Sequence, residues 1–324
     1  MKTARVAAKP LDWKTALGAA VWTGLAVAAS LEWSRLELTE ILFLLAPWVV
    51  LPVAVKLVPP VPDCRLSANV RRVHDSVVLP AAALATASFL LPAGRLAAVL
   101  ASAWLLVCLL LAGEGLLRLL RYHQKSFAQF CFAVGQVYLL VGASWLVISR
   151  RGLRPLGFDE PIVLLTAVHF HFAGFVSAVL AGLTYERSRA APWAGPLRAA
   201  LFGVTAGPAF LGVAFLVGPK LKLMAALLIA TGQFGLAAAM FRAGIAASQG
   251  LGRWMLGISA GCVVAGMALA ATWASGEYPL HPFVNLDQMV RFHGVLNALG
   301  FGLCGLLGWA QILGASQSSR EIWQ

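Results

Sequence analysis

The sequence predicts an all-α protein, a polytopic bundle of about ten transmembrane helices with both termini cytoplasmic. Three observations predict it. Hydrophobic residues make up 60% of the 324 positions and charged residues 12%, with a mean hydropathy of +0.81. Soluble domains carry roughly 25% charged residues, so a water-soluble chain of this composition would need an exceptional surface. Apolar runs of about 20 residues recur from end to end, each long enough to cross a hydrocarbon core of about 30 Å as a helix. The Lys and Arg residues fall between these runs in short clusters: Arg71-Arg72, Arg118 with Arg121 and Lys125, Arg187 with Arg189. A net charge of +12 could suit nucleic acid, but this spacing is that of topology signals, so the implied partner is the lipid bilayer and not nucleic acid. A β-barrel would show short alternating segments instead.

Taken in order, the spans read Thr15–Ser30, Thr39–Val58, Asp75–Leu91, Arg95–Leu117, Phe127–Ile148, Pro161–Leu183, Trp193–Val217, Lys220–Phe241, Trp254–Ser275 and Met289–Leu313. Charges or Gly and Pro bound each one. The first is short and Ala-rich, and its basic lead-in and Ala26-Val27-Ala28 also fit a signal peptide with its cleavage site. Its lead-in is long for a signal sequence, so a retained span is the expectation. With the N-terminus inside, most Lys and Arg residues lie in inner segments, although Arg150-Arg151-Gly152-Leu153-Arg154 then falls outside. The organisation is a cytoplasmic tail at 1–14, one transmembrane domain at 15–314 and a second tail at 315–324. The longest connections, Pro59–His74 and Gly276–Gln288, are too short for a soluble domain.

Pro47, Pro52, Pro80 and Pro208 lie inside spans, and Gly207-Pro208 is the expected site of a kinked or discontinuous helix of the kind that lines transporter cavities. Cys108, Cys131, Cys262 and Cys304 fall within apolar runs and Cys64 outside them, with no close pairing, so they read as small buried hydrophobes.

His169-Phe170-His171-Phe172-Ala173 stands in the middle of the sixth span. Imidazole is costly in hydrocarbon, so intramembrane histidines point to a functional site or to buried hydrogen-bond partners. His169 and His171 lie about 12–15 Å below the outer end of the span at 1.5 Å per residue, close to mid-membrane. On a regular helix positions i and i+2 point about 200° apart, so the two cannot share one metal unless the segment is irregular. A second segment, Arg291-Phe292-His293-Gly294-Val295-Leu296-Asn297, opens the last span. Asn297 is one turn from His293 on the same face, and the glycines that follow give that helix a thin profile for close packing. If the sixth and tenth helices pack together, His293, Asn297 and one of the paired histidines converge. The two spans also share a loose His…Gly-Phe pattern, which a parallel repeat would explain.

The remaining polar groups read mainly as structural. Glu114 and Arg118 can pair across one turn, near His74-Asp75 and His123. Asp159 and Glu160 complement a helix start and can pair with Arg154 or Arg291. Arg291 itself suits an interfacial anchor. Gln136, Tyr138, Thr231 and Gln233 hydrogen-bond neighbouring helices or line a polar path. Walker A, zincin, nucleophile-elbow and Rossmann patterns are absent from the sequence, so transport powered by ATP on this chain alone is not expected.

The two segments His169–Phe175 and Arg291–Phe301, within a multi-span layout, resemble the YndJ-like bacterial membrane proteins. The resemblance implies a transporter in the cytoplasmic (inner) membrane with no named substrate, and carries over to His169, His171, His293 and Asn297.

Three readings follow. In the first, a permease-like protein uses His169 or His171 with His293 and Asn297 to bind a small-molecule or ion substrate or to relay a proton, since His titrates near physiological pH. In the second, a membrane-embedded enzyme or electron carrier uses His169, His171 and His293 as ligands for Zn, Cu, Fe or haem. In the third, the chain acts only through partner helices. A homo-oligomer stays open throughout.

Overall fold

The computed structural model describes residues 12–61, 63–122, 126–246, 250–277 and 283–322, at 122, 277 and 315–322 as backbone alone. Every regular element among them is helical. The elements are α1 (Trp13–Ser30), α2 (Leu38–Leu57), α3 (Arg65–Phe89), α4 (Arg95–Tyr122), α5 (Phe127–Arg151), α6 (Ile162–Ser188), α7 (Ala194–Val217), α8 (Pro219–Ala246), α9 (Leu251–Glu277) and α10 (Leu286–Gly314). Each of the ten apolar segments of the sequence coincides with one of them, overrunning it by no more than two residues. Eight, α2 and α4 to α10, are long and apolar enough to cross a membrane. The other two fall short for different reasons. α1 is only 18 residues long, with small residues and Lys14 diluting its hydropathy. α3 begins ten residues before its expected start and carries Arg65, Arg71, Arg72, His74 and Asp75 in its first turns.

Polarity is arranged inside out. On α4 the large side chains Leu96, Val99, Leu106, Leu109, Leu116 and Leu120 are exposed. They recur at helical spacing on one face, whereas Glu114 and Arg118 on the opposite face are buried. In water this would be a severe fault; in lipid the apolar stripe faces its own solvent and the charges face protein.

Consecutive helices pack as antiparallel neighbours, closest for α4 with α5 and for α7 with α8 and α8 with α9. α2 and α6 are the most enclosed spans. α2 touches α1, α3, α6 and α10, and α6 touches α5, α7, α8 and α10 as well. Regular α-helix gives way to wider π-helical turns at three places: Ala46–Val50 in α2, Phe170–Val176 in α6, and Met289–Gly294 with Leu296–Leu303 in α10. The α6 segment touches both others. Such turns leave backbone groups without their usual partner and cluster at functional sites. α7, by contrast, runs unbroken through Gly207-Pro208, so the expected discontinuity is not there. Tyr138 of α5 donates to the Thr205 carbonyl oxygen at 2.7 Å, beside the ladder position that Pro208 leaves without an N–H.

In α2 the proline effect is used for docking. Pro52 cannot donate to the carbonyl of Trp48, four residues earlier. That oxygen faces Gly18 of α1, where an added Cβ would lie 1.9 Å from it. Trp22 donates to the Ile41 carbonyl further along the same interface, at 2.9 Å. Ion pairs fasten the start of α1, Lys14 to Asp75 at 2.7 Å and Lys56 to Asp12 at 2.6 Å. Burial raises the Asp12 carboxyl, but the Lys56 ammonium and the Thr15 backbone and hydroxyl outweigh it and hold it below its ordinary value. A lowered carboxyl contributes stability above its unfolded-state pKa and loses it as pH falls through the folded one, so the clasp at the start of α1 loosens in strong acid.

Gly18→Leu forces α1 off α2, whereas Gly24→Leu on the same helix meets nothing within 4 Å. Thermal unfolding of the two variants in detergent checks this. Gly18→Leu lowers the midpoint or prevents folding, and Gly24→Leu leaves the midpoint where it was.

Candidate functional site

The two histidines of the central pentapeptide point to different neighbours. His171 is buried between α2, α4 and α5. Its Nδ1 lies 2.8 Å from the Ala167 carbonyl oxygen. A carbonyl only accepts, so Nδ1 carries the hydrogen. Nε2 is therefore bare and accepts from Trp104 Nε1 at 3.0 Å. Phe43 meets the ring edge-on at 5.1 Å, and Gly142 leaves room for it, since a Cβ there would lie 2.7 Å from Nδ1. Both nitrogens are used, and a protonated ring would set N–H against N–H. His171 is a neutral structural histidine in this packing.

His169 leans the other way, toward α10. Its ring lies nearly parallel to that of His293, centroids 6.4 Å apart and planes 24° apart. Each sits about 10 Å along its helix from the first residue, at 1.5 Å per residue. His169 Nδ1 lies 2.7 Å from the Leu165 carbonyl oxygen, and His293 Nδ1 lies 2.8 Å from that of Gly266 on α9. The same argument puts the hydrogen on Nδ1 in both rings. Each Nε2 is then a bare lone pair, and no described group hydrogen-bonds to either. His169 is exposed and His293 half-buried.

Asn297 does not point into the pair. Its Nδ2 donates to the backbone carbonyl of His293 at 2.7 Å and approaches Nδ1 at 3.3 Å. This supplies a donor to a carbonyl in the widened part of α10 and holds the His293 turn in place. Gly266 admits the amide, since a Cβ there would lie 2.3 Å from Nδ2. Further along the same interface, Ser259 donates to the Phe301 carbonyl at 2.8 Å. Leu42 of α2 covers Gly294, beside His293. Leu42 and its neighbour Phe43 thus pack at the two separate histidine sites.

The three imidazoles therefore do not converge. Among the described residues no three His, Cys, Asp or Glu side chains are placed to hold one metal ion. A haem or metal centre here would have two imidazoles, His169 and His293, and not three.

The second polar cluster lies at the other end of the bundle and is larger than the Glu114–Arg118 pair alone. The Glu114 carboxylate accepts from Ser67 at 2.7 Å, Gln136 at 3.0 Å, Arg71 at 2.9 Å and Arg118 at 3.3 Å. The two guanidinium groups reach on to the last carbonyls of α2 and the loop after it: Arg71 to Val55 and to Val58 at 2.8 Å, Arg118 to Pro59 at 2.7 Å. Arg118 also donates to Gln129. Two cations and one anion would leave a buried net charge, but the negative end of the α2 dipole faces the surplus. Every charge has a hydrogen-bond partner, so the cluster reads as a clamp. His123 lies outside the described residues.

Other polar residues pair across or within elements. Gln233 of α8 donates to Ser177 of α6 at 3.0 Å, Arg154 pairs with Asp159 inside the α5–α6 connection at 2.8 Å, and Arg291 with Asp287 one turn away on α10 at 2.9 Å. Thr231 bonds only its own helix. Glu160 caps the start of α6 through the Leu164 N–H at 3.1 Å. Three features have no local sequence signature: the Trp104–His171 bond, the widened turns, and the approach of Cys262 to Cys304. Cys262 packs on Gly300, four residues before Cys304 on α10.

Buried charge, a lipid-facing leucine stripe and eight spanning helices define a multi-pass protein of the cell membrane. The family described as "YndJ-like protein" matches residues 41–301, and the chain belongs to that family. It is 26% identical over 185 residues to the uncharacterized membrane protein YndJ of Bacillus subtilis (strain 168), a stretch covering 54% of this chain and 31% of the relative. The match thus spans about a third of that relative's length. No solved structure matches the chain.

The contrast between the two clusters and the histidine pair is measurable by thermal unfolding in detergent. Glu114→Gln leaves two buried guanidinium groups without their anion and costs about 3–5 kcal/mol. Trp104→Phe strands the His171 Nε2 lone pair and costs about 1–3 kcal/mol. His169→Ala removes an exposed ring with one local bond and changes stability by about 0.5 kcal/mol or less.

Proposed function

We propose that the chain is a permease-like protein of the bacterial cytoplasmic membrane, both termini inside, whose substrate or proton site is the His169–His293 pair. The observation that carries this is the pairing itself. Two intramembrane imidazoles lie nearly parallel at 6.4 Å, each with Nδ1–H committed to a backbone carbonyl and each with Nε2 free. Intramembrane histidines without protein partners are costly, and ones that line substrate or proton paths are the usual exception. α6 is among the most enclosed helices, yet His169 on it is exposed, and in this reading that exposure opens on a crevice beside α10. The widened turns of α6 and α10 at this level add irregular backbone of the kind that surrounds transporter sites.

Asn297 acts in this reading as a positioning residue for His293, and His171 holds α2, α4 and α6 together. The preponderance of Lys and Arg at the Asp12 end supports placing that end inside, so the crevice opens outward. The enzyme or electron-carrier reading has weaker support, because the described side chains supply two ligands and not three.

Accessibility tests the reading without a known substrate. In a variant whose five native cysteines are replaced by alanine, His293→Cys reacts with a membrane-impermeant thiol reagent added outside intact cells. Phe43→Cys, in the packed interior, does not. Failure of the thiol introduced by His293→Cys to react from outside would overturn an outward-facing crevice.

A further inference from the structure

We infer that the site between α6, α9 and α10 takes a soft or borderline d-block cation such as Cu⁺ or Zn²⁺, and that this is the class of substrate the crevice admits. The inference rests on the permease-like reading and narrows its chemistry. With Nδ1–H held by Leu165 in one ring and Gly266 in the other, both imidazoles present only lone pairs. Such a site offers no donor to an anion. It offers no carboxylate or ring of oxygens to Mg²⁺ or Ca²⁺, which bind through oxygen. Neutral imidazole nitrogen suits Zn, Cu and Ni. The carbonyl bond on the far nitrogen of each ring is also the arrangement that fixes tautomer and orientation in metal-ligating histidines.

The centroid spacing fits a single bridging ion. A metal–nitrogen bond is about 2.0–2.1 Å, and a ring nitrogen lies roughly 1.1 Å from its centroid, so two imidazoles joined in line through one metal have centroids about 6.3 Å apart. At 6.4 Å the rings leave room for one ion between them, and a four-coordinate tetrahedral ion with water in its other two positions draws the centroids in to about 5 Å.

A second, independent feature lies deeper on the same interface. Cys304 lies deeper on α10, eleven residues beyond His293, where regular helix resumes. There Cys262 of α9 packs on Gly300, four residues before Cys304, and both thiols are half-buried. Sulfur selects the same soft cations and not the hard ones. Two imidazoles near one end of the hydrocarbon core and two thiols deeper in it form successive stations for one class of ion. Two ligands per station bind weakly enough for release, which a conduit requires and a structural metal site does not.

The test is titration of the detergent-purified full chain with Zn²⁺, and with Cu⁺ under anaerobic reducing conditions, with Mg²⁺ and Ca²⁺ as competitors. Variants are His169→Ala, His293→Ala, and Cys262→Ser with Cys304→Ser. The expected result is saturable binding that excess Mg²⁺ or Ca²⁺ does not displace, weakened at least tenfold by either histidine substitution in protein that keeps its monodisperse elution. The double cysteine variant keeps the histidine-dependent site and loses bound ion overall. Binding no tighter than that of Mg²⁺, or binding unaffected by both histidine substitutions, overturns the inference. Should one histidine variant fold poorly, the other, which sits on a different helix, still decides. Outside labelling of the His293→Cys variant with no d-block binding by the native chain would sink the metal inference alone. Metal binding without outside labelling would sink the outward-facing crevice alone.

Discussion

A backbone polar group in a hydrocarbon core must find its partner within the protein, because no water is there to serve. The packing of this bundle follows from that constraint wherever regular helix gives out. Widening α10 frees carbonyls, and Asn297 and Ser259 supply donors to those of His293 and Phe301. The second of these bonds crosses from α9, so repairing one helix docks another against it. Pro52 has a similar effect on α2, where the Trp48 oxygen that its missing N–H cannot serve lies against an α1 position with no side chain. Loss of a ladder bond in one helix thus becomes a specification for its neighbour.

The same economy separates two histidines that stand two positions apart in one helix. Each ring gives its Nδ1–H to a carbonyl four residues back in its own helix, so neither side chain is left as two open groups. What differs is the other nitrogen. His171 meets an indole N–H in a fully packed pocket, and His169 meets only a second imidazole. Chemistry is available where packing stops supplying donors, and an identical residue nearby on the chain is inert for the opposite reason.

Much of the fold was legible in the sequence because burial in lipid leaves a strong mark. Ten apolar segments became helices, Glu114 and Arg118 stood one turn apart and paired, and Arg154 found Asp159. Pairing of His293 with one of the two central histidines followed from the last helix packing on the sixth. The widened turns were not legible. Two of the three arise at Phe170–Val176 and Met289–Leu303, where no proline interrupts the chain; the third holds Pro47, while α7 carries Gly207-Pro208 and stays regular. Trp104 lies 67 positions from His171, and Cys262 far from Gly300, so these contacts exist only through packing. The role of Asn297 was half visible: its face was right, but its amide turns to the backbone and not into the pair.

The clamp formed by Arg71, Glu114 and Arg118 grips one end of α2, where its guanidinium groups bind the last carbonyls and those of the loop after them. At the far end Glu40 pairs with Arg150 at 4.0 Å. Trp22 also bonds the Ile41 carbonyl near that end. A beam held at both ends cannot tilt on its own. Leu42, the side chain that lies over Gly294 next to His293, therefore keeps its place unless the helices around α2 move with it.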